Sequence, residues 1–171
     1  VVLNSDEETG SYHSEPALRA LAPQHDIGLA LEPALPDGGL VIERPGSGQF
    51  MLEARGRAAH VGRDFTSGIS AVTALADRLL KLAALARPAD GVIVNVGPLD
   101  GGTATNVVPD RARAWGNVRF KTTELGLALE RSIAGLATAP DTLPSVSVNT
   151  SFNRPAKPLT DATRHLAHSA R

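Results

Sequence analysis

The chain predicts an α+β fold: a ferredoxin-like (βαββαβ) domain inserted in part of an α/β domain. Three observations carry this. Between Gln49 and Phe152 the apolar period switches between two and 3.6, in the order strand-helix-strand-strand-helix-strand. Before that, two short apolar runs flank a helical stretch in the α/β manner. Between the two patterns, Pro36-Asp37-Gly38-Gly39 and Pro45-Gly46-Ser47-Gly48 punctuate the chain heavily, as a domain boundary does. The expected division is 1–43 in the α/β domain, 44–155 in the inserted domain, and 156–171 returning to the first.

Val1-Val2-Leu3 reads as the tail of a buried strand, and Thr9-Gly10-Ser11 as the turn after it. A short helix follows near Glu15–Ala22, with Pro16 suited to its first turn. A second strand, Ile27–Leu31, ends at Glu32-Pro33-Ala34. In the inserted domain, Phe50, Leu52 and Ala54 alternate with Met51, Glu53 and Arg55, the period of a half-exposed strand. Ile69, Val72, Ala76, Leu79, Leu80 and Ala83 recur at helical spacing, with Thr66 or Ser67 as the cap and an end before Pro88. Val92, Val94 and Val96 give the next strand. A third has Ala112, Ala114, Val118 and Phe120 on one side and Arg111, Arg113, Trp115, Asn117 and Arg119 on the other. Leu125, Leu129, Ile133 and Leu136 form a second helical stripe, and Val146, Val148 and Phe152 a last strand. This order sets two helices on one face of an antiparallel sheet.

With 171 residues, 42% hydrophobic and 20% charged, the chain has material for a sizeable core. A net charge of −1 argues for neither nucleic acid nor an anionic membrane surface, and no apolar run approaches the ~20 residues of a membrane span. There are no cysteines, so any metal is held by His, Asp or Glu. The chain starts at Val1 inside an expected strand and stops at Arg171 in an expected helix, so it reads as an internal piece of a longer polypeptide. The compartment stays open, with the cytoplasm slightly favoured.

Four landmarks carry chemistry. Glu7 and Glu8 are adjacent carboxylates at a strand end, where one can bind a metal while its neighbour stays free as a general base. Taken alone, they read by default as a solvated acidic turn. Glu32 ends the next strand, and the carboxyl ends of neighbouring α/β strands converge on one crevice, where Glu8 and Glu32 could share a metal. His60 sits in Gly56-Arg57-Ala58-Ala59-His60-Val61-Gly62, where the inserted domain's first strand ends. Asn106 follows the Gly-rich bend Gly101-Gly102-Thr103-Ala104-Thr105 and precedes the strand bearing Arg119. His13, His25, His165 and His168 read as surface residues.

As an ordered set, these residues resemble the co-catalytic zinc amidohydrolases of the carboxypeptidase G, aminoacylase and acetylornithine deacetylase superfamily. The resemblance implies a fragment of a dinuclear-zinc hydrolase that cleaves amide or peptide bonds. It matches Glu7 to the general base, and Glu8 and Glu32 to ligands of the two zinc ions. His60 matches a histidine that polarises the scissile carbonyl in a neighbouring subunit's site, which implies a homodimer formed through the inserted lid domain. Asn106 and Arg119 match substrate-binding positions, Arg119 through the substrate's carboxylate. Family members also carry a His and a bridging Asp before this segment and a His after it. Here Asn117 stands where an Asp often precedes the Arg. The fragment alone is therefore expected to hold zinc weakly and to be inactive.

Two other classes compete. A ferredoxin-like domain on its own can be a non-catalytic dimerisation module, though such a module has no reason to place carboxylates at strand ends. That fold also hosts RNA recognition, but only Trp115 is an aromatic on the outer face of its strand, and the net charge is not basic.

Overall fold

The structure, a computed structural model, describes residues 1–32 and 35–170. The chain divides into two units, Glu43–Thr160 and Val1–Ile42 with Asp161–Arg171.

The larger unit is the ferredoxin-like domain. Its strands β1 (Gly46–Arg55), β3 (Val92–Gly101), β5 (Arg111–Phe120) and β6 (Ser145–Arg154) form one antiparallel sheet in the order β3-β5-β1-β6. A short ladder of β2 (Ala59–His60) with β4 (Val107–Val108) stands apart from it. The helices α2 (Ala71–Ala83) and α3 (Thr123–Ala134) share one apolar core, and hence one sheet face. The alternation read from sequence sets that face: Phe50, Leu52, Ala54, Ala112, Ala114, Val118 and Phe120 are buried beneath Leu75, Leu82, Leu129 and Ile133. Each large side chain in that layer contributes about 1.5–3 kcal/mol of apolar burial. Arg44 and Lys157 exchange backbone hydrogen bonds at 3.0 and 2.9 Å, pinning the two ends of the unit side by side.

Glycine is required where β5 crosses the core. Gly116 occupies an inward position of the alternation, and a Cβ there would run into the Phe50 ring and the Asn95 carbonyl oxygen. The missing side chain is what lets Phe50 lie across β5. Phe120 stacks on Phe152 with centroids 5.7 Å apart, held over Gly126 and Gly46.

The start of α2 differs from expectation. Its cap is Ser70, whose Oγ accepts from the Thr73 N–H at 3.1 Å, and not Thr66 or Ser67. Ile69 is held extended by reciprocal bonds with Arg57 at 2.8 and 2.9 Å, so the helix cannot begin before residue 70. Thr66 and Ser67 instead lie in a single 3₁₀ turn, Phe65–Ser67.

In the smaller unit, α1 (Glu15–Leu21) forms where expected, with Pro16 in its first turn, and α4 (Asp161–Ser169) completes it. Neither Val1–Leu3 nor Ile27–Leu31 is a strand. A strand is stable only with a hydrogen-bonded neighbour, and among the described residues of this unit neither run has one. Their apolar side chains stand in solvent: Leu3 and Leu31 are 92% and 95% exposed. No helix among the described residues is long and apolar enough to cross a membrane.

Candidate functional site

Beyond β1 the chain leaves the main sheet at Gly56, whose N–H donates to the Asp110 carbonyl at 2.8 Å, and runs on into the β2–β4 ladder. That ladder pairs His60 with Val107, and the Val61 N–H donates to the Asn106 carbonyl at 2.9 Å. The backbones of His60 and Asn106, 46 positions apart in sequence, thereby lie on facing segments of one ladder, and both residues are exposed.

The turn after His60 is tightly wired. The His60 N–H donates to Asp64 Oδ1 at 2.8 Å, and the His60 carbonyl accepts from the Arg63 and Asp64 N–H groups at 3.1 and 3.0 Å. The Ser67 hydroxyl donates to the Asp64 carbonyl at 2.8 Å, closing the turn. The Gly62 N–H donates to His60 Nδ1 at 3.1 Å. Asp64 and Gly62 were not among the expected site residues. The available signal was turn chemistry, an Asp and a Gly within four positions of a histidine.

Arg119 is placed elsewhere. It is exposed near the far end of β5, paired with Ser47 and Ile93, eight strand positions beyond Arg111. At ~3.3 Å per residue that separation is on the order of 25 Å. His60 and Asn106 therefore share one ladder, and Arg119 does not join them within the unit.

On the sheet face away from the helices, Glu53 is buried although its position reads as half-exposed from sequence; its side chain is 11% exposed. Arg55 Nε donates to its Oε1 at 2.8 Å, Arg111 Nη2 donates to its Oε2 at 2.8 Å, and Arg113 Nε approaches Oε2 at 3.5 Å. The Arg111 hydrogen bond, with that from Arg55, holds the Glu53 carboxyl below the ordinary glutamate range against the opposing effect of burial. A depressed folded value means the stabilisation is fully present above the unfolded pKa of ~4.3 and is lost as pH falls through the folded value. Glu53→Gln is thus expected to cost about 1–3 kcal/mol at neutral pH, with the gap to wild type closing in acid. Denaturant unfolding of both proteins across that range checks it; a gap that does not change with pH would contradict it.

In the smaller unit, Asp6 is the residue that organises the acidic turn. Its Oδ2 accepts from the His13 and Ser14 N–H groups at 2.8 and 3.1 Å, just ahead of α1. The Ser14 side-chain hydrogen bond, aided by those N–H groups, holds the Asp6 carboxyl below its ordinary value. Glu7 is half-buried, whereas Glu8 and Glu32 are exposed. The Pro33-Ala34 part of the Glu32-Pro33-Ala34 motif lies outside the described residues. The strand ends expected to bring Glu8 and Glu32 together are not formed. Among the described residues, no three His, Asp or Glu side chains gather as a metal site. The residues present therefore do not by themselves make up a zinc centre.

Residues 42–141 match the model of the M20 peptidase dimerisation domain. Carboxypeptidase G2 of a Pseudomonas species is 26% identical over 125 residues, covering 72% of this chain and 30% of that protein. A probable carboxypeptidase of Talaromyces marneffei is 41% identical over 93 residues, 47% of this chain and 20% of that protein. The chain thus spans between about a fifth and a third of these relatives' length. Among solved structures, a Staphylococcus aureus tripeptidase superposes with a TM-score of 0.76 at 21% identity, over 96% of this chain and 44% of that one. Aminopeptidase PepT of Bacillus cereus gives 0.73 at 24% identity, over 91% of this chain and 42% of that one. A match over more than half of the chain, on a domain whose sheet order and helix placement are those described above, settles the family: the chain belongs to the M20 peptidase dimerisation-domain family.

Proposed function

We propose that this chain is the lid and part of the catalytic domain of a zinc-dependent exopeptidase or deacylase, which cleaves amide bonds of small peptides or N-acyl amino acids as a homodimer. The observation that carries this reading is that His60 and Asn106, both exposed, lie on the two facing segments of one short ladder in a peptidase dimerisation domain. An exposed imidazole and an exposed amide within one short segment of the lid are open to a carbonyl group that arrives from outside the unit.

In this reading Glu7 accepts a proton from the attacking water and later passes it to the leaving amine. His60 donates a hydrogen bond to the carbonyl oxygen as charge builds there, in the partner subunit's site, and Asn106 orients the substrate beside it. Arg119 binds a substrate carboxylate, at a site distinct from the one that His60 and Asn106 of the same chain serve. Glu8 and Glu32 would hold zinc through their carboxylates, with the remaining ligands supplied from outside this chain, and the metal would activate the attacking water. Residues 1–43 and 156–171 belong to the catalytic domain, and residues 44–155 are the lid. The exposed apolar runs Val1–Leu3 and Ile27–Leu31 are then sheet strands awaiting neighbours in the longer protein.

Mixing two inactive variants of the full-length protein tests the shared site. Glu7→Gln and His60→Ala homodimers are each expected to be nearly inactive. Co-expressed, they form hybrids in which one site draws Glu7 from one subunit and His60 from the other, so activity returns. Hybrids that stay as inactive as the parents, with dimers present by light scattering, would place His60 in its own subunit's site or outside catalysis. The 171-residue chain alone is expected to retain no stoichiometric zinc after gel filtration and to hydrolyse no amide substrate.

A further inference from the structure

His60 has two ring nitrogens, and the turn treats them differently. Nδ1 accepts the Gly62 N–H at 3.1 Å, while Nε2 meets no hydrogen-bond partner among the described residues. A nitrogen that accepts a hydrogen bond carries no proton of its own, so in the neutral ring the proton sits on Nε2. The Gly62 N–H stays where Nδ1 can meet it, because the backbone on both sides is fixed. Asp64 Oδ1 holds the His60 N–H at 2.8 Å, the His60 carbonyl accepts two N–H groups, and the Val61 N–H is bound to Asn106. We propose that Gly62 and Asp64 are positioning residues that bias His60 towards its Nε2–H tautomer, so that the ring presents mainly a donor to a carbonyl oxygen. This deepens, and for its catalytic meaning rests on, the reading of His60 as the group that polarises the scissile carbonyl.

The tautomer itself is a property of this chain and is measurable without catalysis. Long-range ¹H–¹⁵N correlation spectra of the labelled chain, taken above the range where imidazoles titrate, report which nitrogen is protonated. The His60 signal is identified by its loss in His60→Gln, and a peptide of residues 57–65 supplies the unstructured reference. One hydrogen bond of ordinary strength biases the two tautomers about fivefold beyond the peptide, towards Nε2–H. Gly62→Pro removes the donating N–H and is expected to return the ratio to that of the peptide. Gly62→Ala keeps the N–H, and its Cβ would lie 3.5 Å from the ring Cε1, an ordinary contact, so the bias persists. If Gly62→Pro fails to fold, Asp64→Ala serves instead, because it releases the His60 backbone and lowers the bias in the same direction.

A wild-type ratio equal to the peptide's, or one unchanged in both Gly62→Pro and Asp64→Ala, would overturn the proposal. In the full-length enzyme, Gly62→Pro is expected to lower kcat and kcat/KM together, as the loss of an interaction made in the transition state does. If instead His60→Ala leaves turnover intact while the spectra show the biased tautomer, the positioning role of Gly62 and Asp64 stands and the catalytic reading of His60 falls.

Discussion

Glu7→Gln in the full-length protein is expected to lower turnover by about 10²–10⁴-fold, the usual contribution of a positioned general base. The substitution keeps the side chain's shape and removes only its ability to take a proton. The isosteric amide keeps the side chain's volume, and the turn is also closed by the Glu7 carbonyl accepting from Gly10 N–H at 2.9 Å and by Asp6 accepting from His13 and Ser14 N–H. Zinc content should therefore stay near that of wild type. Glu8→Ala is expected to lose metal instead. Steady-state kinetics with metal analysis of both variants separates the two roles, and near-normal turnover in Glu7→Gln would remove Glu7 from the role of base.

Gly116→Val is expected to destabilise the chain by about 3 kcal/mol or more, the upper range for overpacking a core. The reason lies in what the new side chain would meet. One obstacle is the Phe50 ring, which is itself wedged in the core. The other is the Asn95 carbonyl oxygen, part of the neighbouring strand's backbone, which can retreat only by breaking the β3–β5 ladder. Equilibrium unfolding of the purified variant decides the matter; stability within experimental error of wild type would mean that β5 and Phe50 have room not described here.

The inserted domain was legible because its signals are local. Alternation in Phe50-Leu52-Ala54 and in Ala112-Ala114-Val118-Phe120 fixes which face of each strand is buried, and the helical stripes of Leu129 and Ile133 point at that face. Where a distant partner decides, the sequence misleads. Ile69 carries the helical period of α2, yet a pairing with Arg57 pulls it out of the helix and moves the cap to Ser70. Val1–Leu3 and Ile27–Leu31 have strand composition, but a strand forms only beside another. Glu53 alternates as an exposed residue should, and arginines from another strand cover it.

For the candidate site, the sequence marks residues but not how they are placed. His60 and Asn106 stand out as residues flanked by glycines at element ends, but their adjacency arises from a two-residue ladder that no local pattern announces. Nothing in the spacing told that Arg119 sits at the opposite end of its strand. Asp64 and Gly62 escaped notice because their task is to hold another residue's backbone and ring, and that task leaves no motif of its own.

The place of β1 in the sheet has a consequence for how the protein is made. It is the first strand of the sheet to emerge from the ribosome, yet both of its neighbours, β5 and β6, are synthesised long after it. At ~5–20 residues per second, β1 waits on the order of several seconds for Phe120 to be made, and longer for Arg154. Throughout that interval Phe50, Leu52 and Ala54 have no ladder to join, and the nascent chain offers them to chaperones or to another nascent copy. Slow, long-range closure of this kind raises contact order and lowers the folding rate. Conditions that shorten the wait or shield β1 during synthesis are therefore expected to raise the yield of soluble protein.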